Sequence, residues 1–339
     1  MTETNAIVND DQASIGLDLN RTRSLPSISC VMPAYNEARN LGAVVPVVLE
    51  ALVKLSQRIE IIVINDGSRD STAKILIDLC NKYPQIVALN LSRNFGKEAA
   101  LTAGLDAAQG EVVIIMDADG QHPVNLIAAM LQKWNQGSDV VYAVRKTRHD
   151  QSPIHRAFTR VFYRLINWKS RVQIPPNAGD FRLMDKRVVQ ALRNLPERNR
   201  FMKGLYAWVG FNSTAIEYEP LPRLDGQSNF GFQGALSLAM TGLLAFSITP
   251  LRLVSYFGLL LALASLGYGA WVTMLYFWYG VDTAGYATII VGMMFLSGIQ
   301  LISIGVLAEY VGRIYEEVKQ RPAYLIDTRI GEGIRSRPI

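Results

Sequence analysis

The chain has 339 residues with 50% hydrophobic content, enough for one sizeable domain and a further apolar unit. Its formal charge of +5 and pI of about 9.1 suit an acidic partner such as anionic lipid or phosphate, and no nucleic-acid partner is expected. The two cysteines, Cys30 and Cys80, have no metal-type neighbours in sequence. This excludes a cysteine metal centre and predicts packed thiols in a reducing compartment.

The first 24 residues are polar and lack the apolar core of a secretory signal, so we predict a disordered tail over residues 1–26. From Ser27 onward, short apolar runs alternate with helical patterns, and we assign residues 27–232 to one soluble domain. The predicted strands cover 28–32, 59–65, 86–91, 112–116 and 139–144. The predicted helices between them cover 37–56, 70–80, 96–108 and 123–134. This alternation predicts parallel βαβ units in a Rossmann-like α/β fold.

The fourth predicted strand runs directly into a pair of acids. The apolar run 112–116 is followed by Asp117 and Asp119, and then by Gly120 and Gln121. Ligands of open α/β sheets collect at the carboxyl ends of the strands, and Mg²⁺ binds through one or two carboxylates plus substrate phosphates. The pattern therefore favours a metal-bridged diphosphate, most simply that of a nucleotide. An ordinary Asp-rich turn after a strand is the alternative for so short a motif.

The remainder of the domain is predicted to begin with a basic helix over residues 153–170. Arg156, Arg160 and Arg164 fall on one face of this helix, which is either a solvated surface or a rim that receives phosphate. The further predicted elements are a loop-to-strand segment at 177–182, a helix through Leu192 that Asp185 caps, a helix at 200–208 and a strand at 214–219.

The C-terminal third is far more apolar than the first domain. The runs 253–281 and 283–308 contain no Asp, Glu, Lys, Arg or His. Each exceeds the roughly 20 residues that a transmembrane helix needs, so we predict two spans within 251–309. Residues 233–250 are predicted as an amphipathic helix on the membrane surface, with a buried domain helix as the alternative. Residues 310–339 are predicted as a basic amphipathic cytoplasmic tail that returns to the membrane surface.

The distribution of basic residues predicts how the spans are oriented. Arg252 precedes the first span, and Arg313, Lys319 and Arg321 follow the second. The connection between the spans, around Asp282, contains no Lys or Arg. The positive-inside rule then places the soluble domain and both termini in the cytoplasm, and the chain in the cytoplasmic membrane.

Three turns at the ends of the first, second and fourth predicted strands belong together. They are Pro33-Ala34-Tyr35-Asn36-Glu37, Asp66-Gly67-Ser68 and Asp117-Ala118-Asp119. In this order on successive βα units, and without a Gly-x-Gly-x-x-Gly or Walker sequence, they resemble family 2 glycosyltransferases of the GT-A fold. The segments 92–97, 119–123 and 179–184, with the two spans, narrow the resemblance to polyprenyl-phosphate glycosyltransferases of the dolichol-phosphate mannose synthase and bacterial GtrB type. The resemblance covers about residues 27–321.

The resemblance implies a binding site for a nucleotide sugar. Its residues would be Pro33, Tyr35, Asn36, Glu37, Asp66, Arg93, Lys97, Asp117 and Ala118. Asp66 can accept from a ring N–H of the base, Glu37 can bind the ribose hydroxyls, and Asp117 would face the ribose and the sugar. For Lys97, a solvent-facing position at the start of a helix is an equal alternative.

The resemblance also implies a metal and a catalytic set. Asp119 and the amide of Gln121 would hold Mg²⁺ or Mn²⁺, and His122 is assigned to the turn. The catalytic residues would be Asp117, Asp119, Asp180 and Arg182. Asp180 occupies the position at which related transferases carry a base, and both a base role and an orienting role stay open for it.

The acceptor implied by the resemblance is a polyprenyl phosphate, which is largely a dianion near neutral pH and needs cations more than a base. The candidate cations are Arg145, Arg160, Arg182 and Arg200. Relatives often carry a basic residue after the serine of the pre-membrane loop, where this chain has Asn229, so a phosphate contact there is in doubt. The Gln-x-x-Arg-Trp pattern of processive synthases is absent, which favours transfer of a single sugar.

The sequence thus predicts a membrane-anchored, metal-dependent, inverting hexosyltransferase. It would move one hexose, with glucose from UDP-glucose preferred, onto undecaprenyl or a similar polyprenyl phosphate at the cytoplasmic membrane face. GDP-mannose is the alternative donor, and a non-catalytic membrane scaffold that binds sugar nucleotides is the alternative class. A homo-oligomer is expected, since Gly292 and the 298–305 region allow close helix contacts, although ordinary apolar packing explains them equally well.

Overall fold

The computed structural model describes residues 25–146, 178–198, 200–221, 249–279 and 285–334. The strands are β1 (Ile28–Ala34), β2 (Ile59–Asn65), β3 (Ile86–Leu91), β4 (Val112–Ile115), β5 (Val140–Arg145), β6 (Ala178–Asp185), β7 (Ser213–Tyr218) and β8 (Ile326–Ile330). The helices are α1 (Ala38–Leu55), α2 (Thr72–Lys82), α3 (Lys97–Ala107), α4 (Leu126–Asn135), α5 (Lys186–Arg193), α6 (Met202–Trp208), α7 (Thr249–Tyr279) and α8 (Tyr286–Val318).

Several sequence predictions fall on residues that lie outside these ranges. They are the tail before Leu25, the basic helix 153–170 with Arg160, the pre-membrane loop with Asn229, and the surface helix 233–250 up to residue 248.

The strands form one eight-stranded sheet in the order β7-β5-β6-β4-β1-β2-β3-β8. Strands β4, β1, β2 and β3 are parallel neighbours, as the strand–helix alternation predicts. The predicted Rossmann-like α/β fold is confirmed for this half of the sheet. All seven residues of β2 and all four of β4 are buried, which explains why both strands are continuous apolar runs apart from Glu60 and Asn65.

The parallel βαβ arrangement that the sequence predicts does not extend to the whole sheet, because β6 and β8 pair antiparallel with their neighbours. Strand β6 lies between β4 and β5 and is antiparallel to both, with Ile115 of β4 opposite Arg182. Strand β5 is therefore not the neighbour of β4, although it follows β4 in the chain. The alternation of apolar residues along a strand indicates which side chains lie on the buried face of the sheet. It does not indicate which strands are neighbours or in which direction they run, so the sequence pattern could not reveal this insertion.

Two hydrophobic cores cover the two faces of the sheet. Helices α1, α2 and α4 pack on one face, and α3, α5 and α6 pack on the other. Strand β1 shows the alternation that this requires, since Cys30 and Met32 belong to the first core and Val31 to the second. The two thiols also fit the prediction of packed, unpaired cysteines, with Cys30 buried and Cys80 half-buried.

Two long helices follow the domain. Helix α7 has 31 residues and α8 has 33, and they contact each other. Within the described residues, one helical segment, Phe295–Val318 of α8, is long and apolar enough by length and composition to cross a membrane. A span in α7, and with it the two-span arrangement, stays a prediction.

The C-terminal segment differs from the predicted surface tail. Residues up to Val318 continue α8, and β8 then pairs antiparallel with β3 at the edge of the sheet. Ser92 N–H donates to Leu325 O, and Ile334 N–H donates to the buried carboxylate of Glu60. The edge of β3 would otherwise leave backbone groups unpaired, and β8 supplies their partners. The basic charges of the C-terminal segment gave no indication of this pairing.

The packing of α3 against the sheet generates a test at Gly104. A Cβ at Gly104 would meet Val31 Cγ1 and Ile64 Cδ1, whereas a Cβ at Gly42 of α1 has nothing within 4 Å. We expect Gly104→Ala to lower the free energy of unfolding by about 1–2 kcal/mol, because overpacking outweighs the gain in helix propensity. The matched Gly42→Ala change should raise it by about 0.5–1 kcal/mol. Thermal unfolding of both variants measures the two changes in stability. Equal effects at the two positions would contradict the close approach of α3 to β1 and β2.

Candidate active site

The turns after β1 and β2 are tied together by short-range polar contacts. Asn36 adopts a positive φ of 56°, its N–H donates to Ser68 Oγ, and its side-chain oxygen accepts from Arg69 N–H. Glu37 N–H donates to Thr72 Oγ1 in the same way. The predicted donor-binding residues Pro33, Tyr35, Asn36 and Glu37 therefore lie in a turn that Asn36 and Glu37 connect to the turn that follows Asp66; together the two turns form one wall.

Asp66 anchors the loop that follows β3. Its two carboxylate oxygens accept from Phe95 N–H at 2.7 Å and from Gly96 N–H at 2.9 Å. Burial raises the pKa of Asp66, and these two hydrogen bonds oppose the shift. Gly67 allows the close approach, since a Cβ there would strike the backbone of Arg93 and Asn94. Each oxygen keeps a second lone pair for a nucleobase, but the contact that the structure shows is with this loop.

Lys97 is the first residue of α3, and it joins two acids from different strands. Its Nζ lies 2.7 Å from Asp117 Oδ1 and 2.8 Å from Asp180 Oδ2. The predicted alternative of a solvent-facing Lys97 is thus wrong, because the side chain is two-thirds buried with 33% exposure. Asp117 follows β4 at its carboxyl end, and Asp180 lies in the first half of β6. The two acids meet because β6 runs antiparallel to β4.

The charges of this cluster reinforce one another. Burial alone would lower the pKa of Lys97, but Asp117 and Asp180 outweigh it and raise the pKa above its usual value. Burial would raise the pKa of Asp180, but Lys97, Lys203 and Arg182 hold that pKa well below its usual range. Lys97 lowers the pKa of Asp117 against burial in the same way. All three groups are therefore charged at neutral pH.

Asp119 and Gln121 lie beside this cluster, in the turn between β4 and α4. Asp119 is 8% exposed, and its Oδ1 accepts from Gln121 N–H at 3.0 Å. Arg145 of β5 reaches the same place, because its Nη2 lies 3.4 Å from Gln121 Oε1 and its Nε donates to Tyr218 Oη. The structure thus brings one of the predicted acceptor cations next to the predicted metal ligands.

The donor set of this turn suits a hard divalent cation. A carboxylate and an amide oxygen are ligands that Mg²⁺ and Mn²⁺ accept, with substrate phosphates completing the shell. No group of three or more His, Cys, Asp or Glu side chains that could hold a metal occurs in the part of the chain that the structure describes. Asp119 and Gln121 stay the predicted ligands of such an ion, together with a diphosphate.

His122 is more than a turn residue. It is 4% exposed, its Nδ1 accepts from Asp117 N–H at 3.1 Å, and its ring stacks on Phe181 at a centroid distance of 4.6 Å. Burial lowers the pKa of His122 despite the nearby Asp117 and Asp119. The neutral ring with its proton on Nε2 fits this hydrogen bond, and it fixes the backbone of Asp117.

The predicted acceptor arginines do not all reach the site. Arg182 is 4% exposed, with its guanidinium 3.5 Å from the ring centre of Tyr206 and its Nη2 bonded to Gly179 O. It supports Asp180 from inside the domain and is not available as a free phosphate ligand. Arg200 is also placed elsewhere, since it donates to the backbone carbonyls of Leu195 and Glu197. Arg93 stacks on Phe95 at 4.0 Å, next to the donor loop.

Sequence reasoning missed three residues around Asp180. Glu98 accepts from Met202 N–H, Tyr206 lies under Arg182, and Lys203 faces Asp180. Arg182 Nε and the Tyr206 hydroxyl have no hydrogen-bond partner within the described ranges. The adjacent Lys97 and Glu98 at the head of the otherwise mostly apolar helix α3 were the available signal. Nothing in the sequence indicated their partners on β6 and α6, because those residues lie far away along the chain.

Comparison with known proteins agrees with this arrangement. The glycosyl transferase family 2 profile matches residues 29–193, and the GtrB C-terminal hairpin profile matches residues 249–314. An uncharacterized glycosyltransferase of Synechocystis is 46% identical over 88% of this chain and 94% of its own length. The prophage-derived bactoprenol glucosyl transferase of Shigella flexneri is 43% identical over 88% of this chain and 97% of its own length.

A further relative is a prophage bactoprenol glucosyl transferase homolog of Escherichia coli, 42% identical over 88% of this chain and 98% of its own length. Among solved structures, glucosyl-3-phosphoglycerate synthase of Mycobacterium tuberculosis with Mn²⁺ and UDP-glucose aligns with a TM-score of 0.43 at 17% identity. That alignment covers 65% of this chain and 78% of that one.

The half-buried carboxyl of Glu98 generates a pH test of the site. Burial and the charge of Asp180 raise the pKa of Glu98 to about 7. The folded state therefore holds this proton more tightly than the unfolded chain does. Protonated Glu98 thus adds to the free energy of unfolding at low pH, and this contribution is lost as the pH rises through 7. We expect Glu98→Gln to remove this loss, which amounts to about 2 kcal/mol between pH 5 and pH 8.

Thermal unfolding of the wild type and of Glu98→Gln across this pH range measures the effect. The exposed Glu50→Gln change on α1 is the matched control and should leave the wild-type profile unaltered. Parallel profiles of the wild type and Glu98→Gln would contradict the half-buried, charge-coupled setting of Glu98.

Proposed function

Because the chain belongs to glycosyl transferase family 2, we propose that it transfers one glucose from UDP-glucose to undecaprenyl or a similar polyprenyl phosphate and releases UDP. The observation that carries this proposal is the match to bactoprenol glucosyl transferases over nearly their whole length, hairpin included. The GT-A arrangement of the sheet supports it, since the acids lie at the carboxyl ends of parallel strands, where nucleotides bind in such folds.

The donor side of the proposed site is the wall formed after β1 and β2. We propose that Pro33, Tyr35, Asn36 and Glu37 enclose the nucleoside, with Asp66 and Arg93 below it and Asp117 with Ala118 toward the sugar. The contacts that support this are the hydrogen bonds that fix the two turns to each other and the loop 93–96 to Asp66. Groups held in this way need little reorganisation when the substrate arrives.

The diphosphate end of the donor would lie at Asp119 and Gln121. These two oxygen donors fit a Mg²⁺ or Mn²⁺ ion, which when bound would neutralise charge on the departing diphosphate. Arg145 lies next to Gln121 and supplies a further positive charge there.

The acceptor side follows from the chemistry of a phosphate monoester. The second pKa of a phosphate is about 6, so the nucleophilic oxygen is already ionised at neutral pH and no side chain has to remove a proton. The acceptor needs alignment with the anomeric carbon, and a single in-line displacement inverts that carbon. Among the candidate cations that lie in the described residues, we assign this task to Arg145, since Arg182 is buried and Arg200 is bonded to backbone carbonyls.

The membrane arrangement extends the same proposal. We assign both α7 and α8 to spans, with the domain 27–232 and both chain ends in the cytoplasm. The apolar segment Phe295–Val318 and the family match over the hairpin support this, together with the exposed apolar side chains of both helices, such as Leu259, Leu263 and Leu301. The lipid acceptor would then reach the sheet edge from the bilayer. Assembly into a homo-oligomer through these helices belongs to the proposal as well.

The donor specificity can be tested with purified full-length protein, polyprenyl phosphate and Mg²⁺. We expect radiolabelled UDP-glucose to give labelled lipid at least about tenfold faster than radiolabelled GDP-mannose. Different contacts to the sugar and the base can produce a ratio of this size. Extraction of the lipid phase and counting measures both rates. Faster labelling from GDP-mannose would assign the chain to the mannose-transferring alternative.

The metal site can be tested by removing one ligand. We expect Asp119→Ala to lower kcat on the order of 1,000-fold, and EDTA to stop the wild type until Mg²⁺ or Mn²⁺ is restored. The exposed Asp78→Ala change on α2 is the matched control and should leave kcat unaltered. A scaffold that only binds sugar nucleotides would show no turnover in the wild type, and binding that survives both treatments would support that alternative.

A further inference from the structure

The contact of Lys97 with two acids is not explained by donor binding alone. Its ammonium lies within hydrogen-bond distance of Asp117 and of Asp180, and these acids belong to strands that run in opposite directions. Without a cation, two partly buried carboxylates that lie this close together would repel each other and compete for one proton. The ammonium of Lys97 between them offsets the repulsion and the competition.

We infer that Lys97 is a positioning residue of the transfer reaction, which holds the side chains of Asp117 and Asp180 together through one contact to each. This inference rests on the proposed function, because it assigns the three side chains to the same site. It differs from the expected role of Lys97 as a ligand of the nucleotide, since the structure gives its ammonium two protein partners.

The position of Lys97 is itself set by the donor loop. Asp66 binds the N–H of Gly96, the residue that directly precedes Lys97, and Gly96 has a φ of 96° that favours glycine. A shift of loop 93–96 would therefore move the ammonium and both acids with it. The donor wall and the acids near the sugar are connected through this short chain of contacts.

The surrounding charges agree with an orienting role for Asp180. Arg182 from β6 and Lys203 from α6 face Asp180 in addition to Lys97, while Glu98 is the further acid nearby. A carboxylate paired with an ammonium and flanked by two more cations is a weak base. An incoming phosphate dianion would also be repelled by two unpaired carboxylates, and Lys97 reduces this repulsion.

The pairing can be measured independently of activity by a double-mutant cycle on thermal unfolding. We expect Lys97→Met to lower the unfolding midpoint by about 5–10 °C, because it leaves two carboxylates without their cation. Adding Asp180→Asn to Lys97→Met should raise the midpoint again, although Asp180→Asn alone lowers it. The exposed Lys133→Met on α4 is the matched control and should change nothing. Additive shifts of the two single variants would overturn the inference.

The kinetic arm uses the same variants with UDP-glucose and polyprenyl phosphate. Lys97→Met should lower kcat about 100-fold while KM for UDP-glucose stays within about threefold, and Lys97→Arg should restore at least about a tenth of the activity. The double variant should be within about threefold of the slower single variant. Losses that multiply, or a rise in KM alone, would instead make Lys97 a donor ligand. If the wild type labels no lipid, the proposed function fails, and the unfolding cycle still decides whether Lys97 couples Asp117 to Asp180.

Discussion

The antiparallel pairing of β6 with β4 is the constraint on which the site depends. Strand β4 ends at the edge where the parallel strands deliver their turns, and an antiparallel neighbour starts at that same edge. Asp180, near the start of β6, is thereby placed opposite Asp117, just past the end of β4. A parallel β6 would carry its first residues to the far edge of the sheet, and the acids of the two strands would not meet.

This geometry concentrates charge where burial is substantial, and the surrounding residues make it tolerable. Removing a carboxylate from water costs several kcal/mol unless a partner replaces the lost hydration. Lys97 serves two acids at once, Asp66 receives two backbone N–H groups, and His122 fixes Asp117 through the backbone. The result is a preorganised surface of fixed charge, which is the form in which electrostatics stabilise a departing diphosphate and align an ionised acceptor.

Much of the parallel half of the fold could be predicted from the sequence, because its strands are short apolar runs separated by helical periods. The bounds of β2 and β3 follow directly from that pattern, and Asp117, Asp119 and Gln121 lie at the strand end where it places them. The same reasoning failed where contacts are distant in sequence. The insertion of β6, the pairing of β8 with β3, and the partners of Lys97 all depend on tertiary contacts across many residues. The positive charge of Arg182 and Arg200 suggested phosphate ligands, but both guanidinium groups bind partners within the domain. Charge by itself does not distinguish these two uses.

Under the proposed function, the site takes a soluble sugar nucleotide at the sheet edge and a lipid phosphate that arrives along α7 and α8. The most direct measurement is NMR and mass spectrometry of the lipid formed from UDP-glucose that is isotope-labelled at its anomeric carbon. We expect a single β-linked glucose on each polyprenyl phosphate, because one displacement at the anomeric carbon inverts an α-linked donor. An α-linked product, a chain of several sugars, or free glucose without any lipid-linked product would contradict it.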